Sequence, residues 1–260
     1  MSVDVRVLVL RAAGINCDEE VMHAWRLAGA SPTLVHVNAL IENRAMLDRF
    51  AIVTIPGGFS YGDDIAAGAI LAQRLALNLA EPIRNFVDDG GGILGICNGF
   101  QVLVKMGLLP GGDGGVTVTF NDSGRFEARW VRLEVCSDRC PFLSAGDASR
   151  RFLEMPVEHA EGRVVTESEA LANELLKRGH VAVRYVDADG RTDRYPENPN
   201  GSTGGIAGLC DPTGRVFGLM PHPDRHFDHM QHPQWTRREA AGSADGLTIF
   251  QNAVRHWANR

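Results

Sequence analysis

Four short apolar runs, VRVLVL (5–10), TLVHV (33–37), AIVTI (51–55) and GILGI (92–96), are separated by segments with helical spacing. This alternation restricts the fold more than any other feature. A strand that is apolar on nearly every position must be covered on both faces, and a parallel sheet wrapped by crossover helices does that. Helices are expected over residues 18–27 and 40–49, with one or two more over 65–86. The result is a doubly wound α/β sheet, which holds ligands in the crevice beyond the carboxyl ends of its strands. From about Val116 the pattern changes. VTVTF (116–120) and RFEARWVRLEV (125–135) alternate polar and apolar residues, as antiparallel strands with one wet face do, so an antiparallel extension of the sheet is expected. Residues 168–178 and 245–257 read as amphipathic helices, PENPNGSTGG (196–205) as a turn-rich loop and RVFGLM (215–220) as a further strand. No fixed-period repeat, low-complexity tail or long linker interrupts the chain, and residues 1–260 are expected to form one elaborated domain.

Several function classes are disfavoured at once. A formal charge of −6 argues against a nucleic-acid partner, which needs a clustered basic surface. No apolar run approaches the roughly 18 residues of a membrane span. The start, MSVDVRVLVLRAAG, lacks the basic and long apolar regions of a signal peptide, so a cytoplasmic location is expected. The two lysines, Lys105 and Lys177, sit in no G-x-x-x-x-G-K-[ST] loop, so ATP binding by this chain is not expected. Five cysteines (Cys17, Cys97, Cys136, Cys140, Cys210) form no C-x-x-C pair, which argues against a disulfide framework or a cysteine-rich zinc site.

The chemistry is concentrated at Gly95-Ile96-Cys97-Asn98-Gly99, where a buried strand runs into a helix. This is the cysteine form of a nucleophile elbow, in which flanking glycines permit a strained turn that lifts the central residue above the sheet edge. A helix N-terminus offers free amides and partial positive charge, the setting in which cysteine reacts as its thiolate. A free cysteine in an apolar run is as readily a small buried hydrophobe, and the glycines around the turn favour the functional reading. His222, in GLMPHPDR (218–225) just after the strand at 215–220, is the candidate proton acceptor, and Asp224 can orient its ring. Asp228 is a competing carboxylate. His222, His226, His229 and His232 also form a cluster, but their proline-broken spacing and the lack of H-E-x-x-H leave no metal assigned. The third loop is PGGFSYGDD (56–64), whose paired glycines can turn backbone amides into the crevice and, with the amide of Asn98, bind an oxyanion.

RAAGINCDEE, PGGFSYGDDIAAGAI, GICNGFQVLVKMGLLPG, NPNGSTGGIAGLCD and GLMPHPDRHFD, in that order, resemble the glutaminase subunits of phosphoribosylformylglycinamidine synthases, within the class I (triad) glutamine amidotransferases of purine biosynthesis. The resemblance covers nearly the whole chain, and GGFSYGD with GICNGFQ is specific for the subfamily. It implies a flavodoxin-like, mostly parallel sheet with an antiparallel extension. It further implies Cys97 as nucleophile, His222 as base, Asp224 as orienting carboxylate, oxyanion amides from Gly58 and Asn98, and a contact from Gln101 to bound glutamine. Ammonia would pass to a large synthetase subunit that uses ATP and Mg, with a small accessory subunit in the complex. No cofactor is implied for this chain. Asn121, Ser123 and Phe126 fall near where the family holds the glutamine carboxylate, and His159 with Glu161 resembles a partner-facing segment; scaffolding explains either equally well.

Two departures stand out. The family usually shows His-Pro-Glu, so Asp224 is one methylene short, and the chain runs longer than the compact bacterial form. The elbow itself also fits a cysteine peptidase or hydratase on a related flavodoxin-like sheet, or a non-catalytic interaction subunit that keeps the scaffold.

Overall fold

The computed structural model describes residues 4–112, 114–143, 151–237 and 242–258. In chain order the elements are β1 (Arg6–Arg11), α1 (Asp18–Leu27), β2 (Ser31–His36), α2 (Val37–Glu42), β3 (Ile52–Ile55), α3 (Ala69–Asp88), β4 (Gly92–Ile96) and α4 (Asn98–Lys105). They continue with β5 (Val116–Thr119), β6 (Glu127–Val135), β7 (Phe152–His159), β8 (Arg163–Thr166), α5 (Glu169–Lys177), β9 (Val181–Tyr185), β10 (Ile206–Cys210), β11 (Val216–Leu219) and α6 (Asp245–Trp257). Nine strands form one sheet in the order β2-β1-β3-β4-β11-β10-β9-β6-β7. The first five are mutually parallel, and from β10 onward each strand is antiparallel to its neighbour. This is the flavodoxin-like arrangement, extended on the β11 side, with the strand order reversing between β1 and β3.

The alternation along β3 shows how both faces are filled. Thr54 points to one face, where its hydroxyl accepts a 3.0 Å hydrogen bond from Trp25 Nε1 of α1, and Trp25 meets Phe250 of α6 edge-on at 4.9 Å. Its neighbours Val53 and Ile55 point to the other, lining an apolar layer with Leu75 and Ile83 of α3 and Leu103 of α4. Trp25 and Phe250 are fully buried, and an aromatic or large aliphatic side chain in that position contributes roughly 1.5–3 kcal/mol. The approach is so close at β4 that a Cβ on Gly92 would stand 2.4 Å from the ring of Trp257, which explains a glycine in a core strand.

Three expectations need correction. The helix expected over 40–49 begins earlier, at Val37, where His36 Nδ1 accepts from the Asn38 amide at 3.2 Å; it ends at Glu42, before Asn43, and is followed by a 3-10 turn at Arg44–Arg49. The helical region expected over 65–86 starts only at Ala69, because Gly68 takes a left-handed conformation (φ 72°) against the backbone of α4, and it runs on to Asp88. VTVTF does not join the extension of the main sheet. As β5 it pairs with β8 in a separate two-stranded sheet. Among the described residues no helix is long and apolar enough to cross a membrane.

Candidate active site

β4 ends at Ile96, and Cys97 follows with φ 50° and ψ −104°, a strained conformation for a residue with a side chain. Its amide still bonds Leu219 O of β11 at 2.8 Å, while its carbonyl accepts from Gln101 N at 3.1 Å as the first turn of α4. Strand and helix thus meet at one residue. The glycines on either side let them meet: a Cβ on Gly95 would lie 2.5 Å from Leu103 Cδ1, and one on Gly99 would lie 1.9 Å from the carbonyl oxygen of Ile55. Asn98 begins α4, where first-turn amides have no intrahelical acceptor and remain available to an anion.

His222 follows β11 and is held from two directions. Its amide donates to Pro156 O of β7 at 2.8 Å, and the 3-10 turn Pro223–Arg225 packs under α6 so tightly that a Cβ on Gly246 would fall 2.2 Å from Pro223 O. His222 Nδ1 lies 3.3 Å from Asp224 Oδ1, and both side chains are buried. The short carboxylate therefore reaches the ring, though misaligned for a hydrogen bond. Burial acts to lower the pKa of His222, but the negative charges of Asp224 and then Cys97 outweigh it and hold the imidazole well above its ordinary value. Asp228 is placed elsewhere: it caps the next turn, accepting from Met230 N at 2.8 Å.

The glycine loop closes the crevice. Gly58 has φ 140° and forms an isolated bridge with Ile15; a Cβ there would lie 2.6 Å from Gly14 O. On Gly57 a Cβ would stand 2.8 Å from His222 Cε1, 3.4 Å from Cys17 Sγ and 3.5 Å from Cys97 Cβ, so only a glycine fits between His222 and Cys97 here. Asn98 ties the loop to the elbow. Its Oδ1 accepts from Ser60 N at 3.2 Å, and its Nδ2 donates to Asp63 Oδ1 and Gln101 Oε1, each at 3.0 Å. Gln101 in turn donates to Glu161 O, and Glu161 Oε2 accepts from Ala67 N at 3.1 Å. Gln101 is therefore a buried strut of the elbow, and Glu161 a latch between the β7–β8 turn and the start of α3. Burial raises the Asp63 pKa above its ordinary value, in spite of the bonds from Gly68 and Asn98.

The remaining sequence candidates scatter. Asn121 is spent on scaffolding: it donates to Arg125 O and His159 O at 2.8 and 2.9 Å and accepts from Gly162 N at 3.0 Å, with His159 Nδ1 also 3.0 Å from its Oδ1. Ser123 reaches Glu127 at 3.4 Å, and Phe126 is exposed. His159 is buried, and burial first, then the charge of His222, push its pKa down to about 3. The other histidines of the cluster surround Glu154 and Trp130: His226 Nδ1 lies 2.6 Å from Glu154 O, His232 Nε2 3.0 Å from Glu154 Oε2, and His229 turns to Gly242 O. Only His222 of the four enters the crevice beside Cys97.

Residue-by-residue reading missed Cys17 and Gly57. Cys17 stands at the N-terminus of α1, its amide on Gly57 O at 3.3 Å and its sulfur 3.4 Å from Nη2 of Arg225, whose Nη1 donates to Glu158 Oε2. The signal was present in RAAGINCDEE and in the first glycine of PGG, but neither spacing says which side chains they meet.

Comparison with known proteins places the chain among relatives of one kind. The chain is 45% identical over 261 residues to phosphoribosylformylglycinamidine synthase subunit PurQ of Dehalococcoides mccartyi, with 98% of each covered. It is 40% identical over 269 residues to the same subunit of Archaeoglobus fulgidus, with 96% of each covered. A chain in the structure of PurLQS from Thermotoga maritima matches with a TM-score of 0.74 at 32% identity, over 98% of this chain and 99% of that one. Fold and site define a glutamine amidotransferase, and a family model described as a CobB/CobQ-like glutamine amidotransferase domain matches residues 4–257. Within that class, the chain belongs to the PurQ family.

Proposed function

We propose that this chain is the glutaminase subunit of a phosphoribosylformylglycinamidine synthase and supplies ammonia for purine biosynthesis. The observation that carries the reading is the strained Cys97 elbow facing a buried His222–Asp224 pair, in a chain that PurQ relatives match from end to end. Cys97 Sγ attacks the side-chain amide carbon of glutamine, and the oxyanion forms against the amides of Gly58 and Asn98. The imidazole, its pKa held above the ordinary value by the charges of Asp224 and Cys97, stabilises negative charge on the neighbouring sulfur and delivers a proton to the leaving nitrogen, releasing ammonia and a γ-glutamyl thioester. His222 then takes a proton from water, which attacks the thioester carbonyl and frees glutamate. Asp224 orients the ring, and Gln101 borders the bound substrate from α4. Ammonia passes to a large synthetase subunit, which uses ATP and Mg to activate formylglycinamide ribonucleotide; a small accessory subunit completes the assembly. Residues 1–260 act as one amidotransferase unit in the cytoplasm.

Among the described residues the one polar contact of the Cys97 sulfur is Glu158 O, at 3.7 Å. No hydrogen bond joins that sulfur to His222 among the described residues, which favours low activity in the isolated subunit. Glutamate release measured with and without the matching synthetase tests both points. Activity rises on adding the synthetase and disappears in Cys97→Ala and His222→Ala; retained turnover in Cys97→Ala overturns the assignment, and equal rates with and without the synthetase overturn the resting geometry.

A further inference from the structure

The loop that carries Gly58 runs on through three consecutive residues with positive φ, Tyr61 (55°), Gly62 (74°) and Asp63 (53°). Glycine adopts this conformation freely, but tyrosine and aspartate do so against steric resistance, and such residues persist only where surrounding contacts hold them. For Asp63 those contacts meet at one atom. Its Oδ1 accepts from Asn98 Nδ2 at 3.0 Å and from Gly68 N at 3.1 Å, joining the glycine loop to the elbow and to the residue before α3. The outer side of the loop is fastened separately, by Phe59 N on Gly14 O and Tyr61 N on Ala13 O, each at 2.8 Å.

A carboxylate only accepts, so Asp63 draws the Nδ2 end of the Asn98 side chain toward itself and leaves Asn98 Oδ1 to receive Ser60 N at 3.2 Å. Asn98 is 1% exposed, and Ser60 follows Gly58 closely in the chain, so one buried side-chain amide spans the two segments that present the Gly58 and Asn98 backbone amides. We propose that Asp63 is a positioning residue for the oxyanion hole: it locks the orientation of the Asn98 side chain and thereby the separation of those two amides. It acts through Asn98 and contacts neither Cys97 nor His222. What the two amides bind rests on the glutaminase reading above; how they are held does not.

Three variants isolate the side chain from the strain. Asp63→Gly removes the carboxylate and leaves the positive φ unstrained, Asp63→Asn keeps an oxygen that both Gly68 N and Asn98 Nδ2 can use, and Asp64→Gly, at the exposed next residue, reproduces the added chain freedom. Glutamate release is measured on the full chain with the matching synthetase. Because loss of one oxyanion donor costs about 10²–10³-fold, Asp63→Gly should lower kcat and kcat/KM together by about 10²-fold with KM unchanged, while Asp63→Asn and Asp64→Gly stay within about threefold of the native chain. Asn98→Ala should show a similar loss, and Asp63→Gly added to it should cost nothing further, since both break the same contact. A native kcat in Asp63→Gly, a rise in KM alone, an equal loss in Asp63→Asn, or additive losses in the double variant overturns the positioning role. A second readout needs no turnover. The backbone amide resonances of Gly58 and Asn98 in isotope-labelled chain should both move in Asp63→Gly and move less in Asp63→Asn; if neither moves in Asp63→Gly, the role falls whatever the activity. A native chain that hydrolyses no glutamine while both resonances move in Asp63→Gly refutes the glutaminase reading alone.

Discussion

His159 gives the structure a measurable acid sensitivity. It is buried at the end of β7, its Nδ1 set on Asn121 Oδ1, and burial with the neighbouring charge of His222 lowers its pKa from 6.5 to about 3. The folded chain keeps it neutral where the unfolded chain takes up a proton. The stability this contributes is fully present above pH 6.5 and is lost as pH falls from there toward 3. For one such group the loss between pH 6.5 and pH 5 is about 1.5 kcal/mol, a decrease in the urea midpoint of about 0.5 M for a chain of this size. His222 acts in the opposite sense, since its raised pKa contributes stability below pH 6.5 that is lost as pH rises through the folded value; its contribution changes little between pH 6.5 and pH 5. His226 is also lowered by burial and adds to the acid loss, so the comparison must be made against a variant. His159→Asn keeps a donor for Asn121, and the cavity it leaves costs the same at both pH values. Urea unfolding of the two proteins at pH 6.5 and pH 5 should show the variant's deficit shrinking by about 1.5 kcal/mol at the lower pH. An equal deficit at both pH values refutes the reasoning.

Two further outcomes follow from the crevice. Gly57→Ala sets a methyl 2.8 Å from His222 Cε1 and 3.5 Å from Cys97 Cβ, and displacing either by a fraction of an ångström should lower kcat/KM for glutamine by about 10²-fold, with little change in melting temperature; a loss under threefold would show that the loop gives way freely. Asp224→Asn removes the charge that raises the imidazole pKa, so turnover should fall by about 10³–10⁴-fold and the residual pH–rate profile should move to lower pH, while Asp224→Glu, which restores the charge, should recover much of both. An unmoved profile in Asp224→Asn would mean that the carboxylate does not control the base.

The parallel half of the sheet was legible because each strand carries its own signal. A run of β-branched residues that is apolar on both faces can be satisfied in few ways, and the G-x-C-x-G turn encodes its strain within five consecutive residues. The antiparallel half was legible only as a type, since alternation specifies one wet face and says nothing of the partner strand. VTVTF found β8 in place of β6, and helix boundaries moved where Gly68 and Asn43 left helical conformations.

The chain's sequence thus determined the class of sheet, the strained turn at Cys97 and the order in which the His222 and glycine loops come to it, because those depend on local conformation and on the rule that ligands gather past the strand ends. Tertiary structure alone chose Asp224 over Asp228, turned three histidines away from the fourth, and brought Cys17 against Arg225, 208 positions away. The physical reason is reach. Spacing along a strand or helix fixes where a side chain points, but which other side chain it meets is decided only when loops from β1, β3, β4 and β11 close over a shared crevice.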